Sequence, residues 1–169
     1  VGPILRRTGS QKEWATMAAK GKSALGDNFY EQVGGKACLQ RVHNILYTKL
    51  FTHPWLKGFF AHTKREVVEA QQTDFWMGLM GGPSIYGGRS PRDAHVHMFM
   101  PAEVFDIRHK LLAEALVEAG VAPDLREKWL AIDAGFKRAI VNESPDECHG
   151  RYRGEEVIIV PRPPNLTRE

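Results

Sequence analysis

The stretch Ala94-His95-Val96-His97-Met98-Phe99-Met100-Pro101-Ala102-Glu103-Val104-Phe105 sets two histidines, two residues apart, in an apolar run that ends at a proline. Pro101 is well placed as the first residue of a long helix, where its fixed φ suits the backbone and its missing N–H would have had no partner. Val104, Phe105, Leu111, Leu112, Ala115, Leu116 and Ala119 then form one broad apolar face, closed by Gly120. A further helix is expected after Pro123, carrying Leu125, Trp129, Leu130, Ile132, Phe136, Ile140 and Val141. Upstream, Pro83 to Asp93 holds Gly87, Gly88, Ser90 and Pro91, a composition that favours irregular backbone. Structured loops of that length are often functional. Gly81-Gly82-Pro83 would stop a helix running from about Thr63 to Met80, with Thr63 and Glu66 at capping-box spacing. The segment His53-Pro54-Trp55-Leu56-Lys57-Gly58-Phe59-Phe60 mixes three aromatics with Pro and Gly and reads as a corner pinned into the core. Before it, Gly34-Gly35 precedes a helix over Lys36 to Thr52, where Leu39, Val42, Ile45, Leu46 and Phe51 recur near helical spacing. Nothing here calls for a sheet, so the fold class is all-α.

The composition suits one globular domain with a real core: 169 residues, 43% hydrophobic and 25% charged. A net charge of only +3, with no unbroken basic run, gives no reason to expect nucleic acid as a partner. No apolar run approaches the ~20 residues of a membrane-spanning helix. Cys38 and Cys148 form no CxxC pair, which favours a reducing compartment, so an intracellular location is expected. The opening Val1-Gly2-Pro3-Ile4-Leu5-Arg6-Arg7 is basic and acid-free, as the stretch that follows an organellar targeting segment would be, against the plainer reading of a solvated tail. The location expected is thus cytoplasmic or mitochondrial. Residues 1–27 read as an N-terminal extension, 28–143 as the compact domain and 144–169 as a C-terminal extension. In the last, Val157-Ile158-Ile159-Val160 precedes Pro161, Pro163 and Pro164 and would pair as a short strand or dock on a partner.

Of the seven histidines, His43, His53, His109 and His149 stand singly among polar or helix-surface positions and read as solvated. His95 and His97 offer two chemistries. An HxH pair is half a zinc site, but no further ligands at zinc spacing accompany it. A histidine among Val96, Met98, Phe99 and Met100 also has the apolar setting of an axial haem ligand. Local sequence does not choose.

The longer pattern resembles the truncated (two-over-two) haemoglobins of group I. The blocks that carry the likeness are Tyr30-Glu31-Gln32-Val33-Gly34-Gly35; Ile45-Leu46-Tyr47; His53-Pro54-Trp55-Leu56 with Phe59-Phe60; and Gln72, Phe75, Trp76 and Gly81-Gly82-Pro83. Tyr86-Gly87-Gly88-Arg89, Ala94-His95 and Met100-Pro101-Ala102-Glu103-Val104-Phe105 complete the set. They fall into the family's register without a gap from Tyr47 to Phe105. That register selects His95 over His97, because His95 stands ten residues before Phe105 as in the family.

The resemblance implies a two-over-two helical sandwich around one haem b, with His95 as the iron ligand. Its second ring N–H would be held by a backbone carbonyl or similar acceptor. Phe60 would lie flat on the macrocycle, and Leu56, Val68, Phe75, Trp76, Met98, Met100 and Phe105 would wall it. Tyr47 and Gln72 would face the gas, where a phenol and an amide in an apolar cavity find a partner in the partial negative charge of dioxygen. Thr63, Lys64, Arg65, Arg89 and Arg92 would meet the haem propionates. Val68 stands where many globins place a distal histidine, so an open or water-bound sixth position is expected, with His62 a remote competitor.

The partners implied are dioxygen, nitric oxide or carbon monoxide, with a reductase if nitric oxide is converted to nitrate. Oxygen transport, gas sensing and nitric oxide scavenging share this fold, and no residue is assigned as catalytic. A second reading makes the chain a globin-like accessory subunit of a larger, organellar complex, held by terminal arms that order only against a partner.

Overall fold

Phe29–Val33 forms a single short helix, α1, in a computed structural model that describes residues 25, 26 and 28–167. It ends where Gly34 takes φ 105°, and α2 follows at once over Gly35–Thr52. Leu39, Val42, His43, Leu46, Tyr47 and Leu50 are buried along α2, one stripe at three- and four-residue spacing. A 3-10 turn over Leu56–Phe60 buries Leu56 and Phe59, and Trp55 beside it is buried too, so the aromatic corner is fixed in the core as its composition predicts.

α3 spans Arg65–Leu79, α4 Pro91–His95, α5 Ala102–Glu118, α6 Pro123–Gly135 and α7 Lys137–Ile140. α2 packs on both α3 and α5, and α5 packs on α6, so two helix pairs close on each other through α2. Trp76 of α3 and Trp129 of α6, both almost wholly buried, meet with ring centroids 5.2 Å apart and tie the pairs together. Truncating either to Ala would cost about 3–5 kcal/mol. The glycine stop after α3 is explained by Tyr30. Its ring lies on Gly82 so closely that a Cβ there would come within 2.7 Å of Tyr30 Cγ, while its N–H donates to the carbonyl of Met80.

Several boundaries differ from expectation. Thr63 does not cap α3: its N–H donates to Phe60, which makes it the end of the preceding turn, and the helix starts two residues later with no side-chain cap. Glu66 in the first turn and the Arg65–Glu69 pair favour the helix start instead. The irregular span ends at Ser90 rather than Asp93, because Ser90 Oγ accepts from the Asp93 N–H and Pro91 suits a first turn, so α4 forms. Pro101 takes the extended backbone of an N-cap, one position before the helix proper, whereas Pro123 is itself inside α6. His43 is not solvated but 1% exposed in the core, with Nδ1 2.8 Å from Thr73 Oγ1 and its ring edge-on to Trp129.

The C-terminal extension makes its hydrogen bonds to its own domain. Ile158 donates to the carbonyl of His97 and accepts from Phe99, a single parallel bridge to Met98. His149 donates to Val96, and the Cys148 thiol to the carbonyl of Met98. Trp55 Nε1 donates to the carbonyl of Val160 at 3.0 Å, as a buried indole N–H requires. Arg162 pairs with Glu103 and lies over the Trp55 ring. The apolar 157–160 run therefore docks on its own domain. Expectations placed on residues 1–24 and 27 lie outside the described residues. Among the described residues, no helix is long and apolar enough to cross a membrane.

Candidate functional site

α2, the 3-10 turn, α3 and α5 diverge around a cavity of about 820 Å³, inside the roughly 300–1,000 Å³ usual for small-molecule sites. α2 contributes Tyr47. The turn contributes Phe60, and Thr63 follows it; α3 contributes Val68, Gln72, Phe75 and Trp76. Arg89, His95, Met98, Met100 and Phe105 complete the set that sequence places together, along with Leu56 and His62. Lys64 and Arg92 are not in this wall. Pro91, Ala94 and His95 form the face of α4 that lines the cavity, and Arg92, about 100° round from Pro91, is on another. Arg65 is turned away as well, with Nη2 on the carbonyl of Asn44 and on Thr48.

His95 Nδ1 lies 2.7 Å from the carbonyl oxygen of Pro91, one helical turn earlier. A carbonyl only accepts, so Nδ1 carries the proton and Nε2 keeps its lone pair. Burial pulls the His95 pKa down to about 4, against the opposing effect of the Pro91 hydrogen bond, and the ring is neutral at physiological pH. His97 is 3% exposed, its Nδ1 has no hydrogen-bond partner among the described residues, and its Nε2 stands 4.0 Å from Glu155. Burial lowers its pKa too. Glu155 is gripped by Arg151, whose hydrogen bonds hold its carboxyl down at about 2.

Across the cavity, Tyr47 is buried with its ring edge-on to Phe60 at 6.0 Å. Burial raises its pKa, so the phenol stays protonated and is a donor. Phe60 stacks on Phe51 at 4.7 Å, which fixes its plane.

Sequence reading missed two parts of the wall. One is the segment Arg151 to Val160 of the C-terminal extension. The other is an ionic group: Arg108 Nη1 and His109 Nδ1 both donate to the carboxylate of Asp133, which is 2% exposed. Burial would raise the Asp133 pKa, but Arg108 and His109 outweigh it and the carboxyl stays ionised. The available signal was a charge on each apolar face, Arg108 one turn after Val104 and Phe105, and Asp133 one turn after Trp129. His109 is thus an ion-pair partner and not simply solvated.

The residues present fit a haem. A neutral imidazole with a free, correctly tautomerised nitrogen enters an apolar cavity, flat aromatic side chains wall it, and Thr63 and Arg89 stand at its exposed edge.

Residues 28–142 match the model of the bacterial-like globin family. A group 1 truncated hemoglobin of Tetrahymena thermophila is 32% identical over 122 residues, covering 72% of this chain and 94% of the relative. One from Tetrahymena pyriformis is 35% identical over 92 residues, 54% of this chain and 76% of the relative. Among solved structures, truncated hemoglobin from T. pyriformis in its Fe(III) form superposes with a TM-score of 0.64 at 28% identity, covering 68% of this chain and 98% of that one. The hemoglobin of Chloroflexus aurantiacus gives 0.65 at 27% identity, covering 70% and 100%.

Proposed function

The chain belongs to the bacterial-like globin family, and on that premise we propose that it is a truncated haemoglobin that holds haem through His95 and binds diatomic gases. Haem, when bound, would supply the iron at which dioxygen, nitric oxide or carbon monoxide is taken up. The observation that carries the reading is the His95–Pro91 hydrogen bond, which leaves the nitrogen a metal needs unprotonated inside an apolar cavity. Phe60, Phe75, Met98 and Phe105 would exclude water from the macrocycle. Tyr47 would donate its O–H to a gas carrying partial negative charge, and Gln72 would add an amide donor, which together slow release. Arg89 and Thr63 are favoured for the propionates over Lys64 and Arg92, because only the first two line the cavity.

Conversion of nitric oxide to nitrate with an external reductase is the reaction we favour, since a polar donor pair that retains dioxygen is what that chemistry requires. The test is an absorption spectrum of the full chain, reduced and then exposed to carbon monoxide, beside that of His95→Ala. A Soret band that shifts with the gas and is lost in the variant is expected. A colourless full-length protein overturns the haem reading. The accessory-subunit alternative depended on both arms. The C-terminal arm makes hydrogen bonds to its own domain, which gives that alternative less support than the haem reading.

A further inference from the structure

We propose that Arg108 makes its part of the cavity wall a subsite for a small monoanion, of the class of nitrite, azide or thiocyanate. The inference rests on the haem reading above and concerns a residue which that reading does not use. Arg108 projects from the apolar face of α5, one turn after Val104 and Phe105, both at most 3% exposed, and its side chain is 19% exposed in the cavity wall. Only Nη1 is engaged, by Asp133. Nε and Nη2 have no hydrogen-bond partner among the described residues, and Arg108 lines the cavity.

A guanidinium that lines a cavity with donors to spare is a ready partner for an anion. It lines the same cavity as Tyr47 and His95. Asp133 does not cancel it, because that carboxylate is shared with His109. Charge-assisted hydrogen bonds to an incoming anion are the arrangement that uses these donors.

The competing anion is a haem propionate, and the placement argues against it. The exposed Arg89 and Thr63 offer a propionate the same chemistry at the water-facing edge, without burying its carboxylate.

The test titrates sodium azide into the ferric full-length haem protein, follows the Soret band, and measures carbon monoxide affinity of the ferrous form alongside. In Arg108→Met the azide-to-carbon monoxide affinity ratio is expected to fall about ten-fold or more, the worth of a charge-assisted hydrogen bond. Arg108→Lys should recover part of it. Asp133→Asn, which removes the competing carboxylate charge, should raise it. Arg108→Met strands Asp133, so if that variant fails to fold the measurement passes to Arg108→Met/Asp133→Asn, for which the same fall is expected. An unchanged ratio, or azide and carbon monoxide affinities that fall together, overturns the subsite. So does faster haem loss at unchanged azide affinity, which would assign Arg108 to a propionate. A full-length protein with no Soret band overturns the function reading and this inference with it, whereas a normal Soret and carbon monoxide response with no Arg108 effect sinks only the inference.

Discussion

His95 is aimed by its own helix: four residues separate it from Pro91, whose carbonyl takes its Nδ1 proton. Family register chose this residue over His97, and the structure brings both into the cavity wall with different fates. His95 has a fixed tautomer, and His97 is engaged by the C-terminal extension through its backbone. Breaking the apolar wall is less informative than removing a single donor. Tyr47→Phe keeps the ring that packs on Phe60 and deletes only the phenolic O–H. Oxygen dissociation, followed by stopped flow, should quicken about ten-fold or more, the loss of one hydrogen bond to a polar gas, while carbon monoxide, a poor acceptor, dissociates with much less change. Equal effects on the two gases would mean that Tyr47 acts by packing. Residues of this kind entered through the resemblance to the family, and their types, costly in an apolar cavity, then suggested their roles. Arg108 and Asp133 obey the same rule and went unread, since each lies singly on a helix face that otherwise looks like ordinary core.

At the scale of elements, the long helices announced themselves through three- and four-residue apolar spacing, and Gly, Pro and Ser marked most of their ends. What failed was local. The Thr63–Glu66 pair has capping-box spacing, yet Thr63 closes the turn before it. The C-terminal segment was legible as apolar and Pro-rich but not as a cavity wall, because its hydrogen bonds reach back to Val96, His97, Met98, Phe99 and Trp55, far away in sequence. Its seat is tested at Gly58. A Cβ there would stand 2.6 Å from Val160 Cγ1, so Gly58→Ala must push the segment outward. Overpacking of this sort costs typically 1–3 kcal/mol. Trypsin cleavage after Arg151 and Arg153 should accelerate severalfold in that variant, read by mass spectrometry under native conditions. Cleavage at the unaltered rate would show that the segment is not held by this contact.

For the whole molecule, pH stability gathers these buried groups into one measurable curve. His43 is enclosed by Thr73 and Trp129, and burial takes its pKa from 6.5 to about 3. The unfolded chain therefore binds a proton at His43 between those values and the folded chain does not. Its contribution is present in full above the unfolded value and is lost progressively as pH falls from about 6.5 toward 3. For one fully buried ring this amounts to a few kcal/mol at most. Asp133 and Glu155 have the opposite charge type and the same sign of effect: both are held ionised in the fold, so their contribution disappears at lower pH, below the usual carboxylate range. Urea unfolding of the haem-loaded protein should thus show a first loss of stability from pH 7 to 5 and a second, steeper one below pH 4.5. In His43→Gln, whose amide keeps a partner for Thr73 and does not titrate, the first loss should shrink while the second persists. If His43→Gln left the pH 7 to 5 slope as it was, the acid sensitivity would belong to the cavity histidines instead, and added carbon monoxide, which binds only the loaded fold, would shift the whole curve without changing its shape.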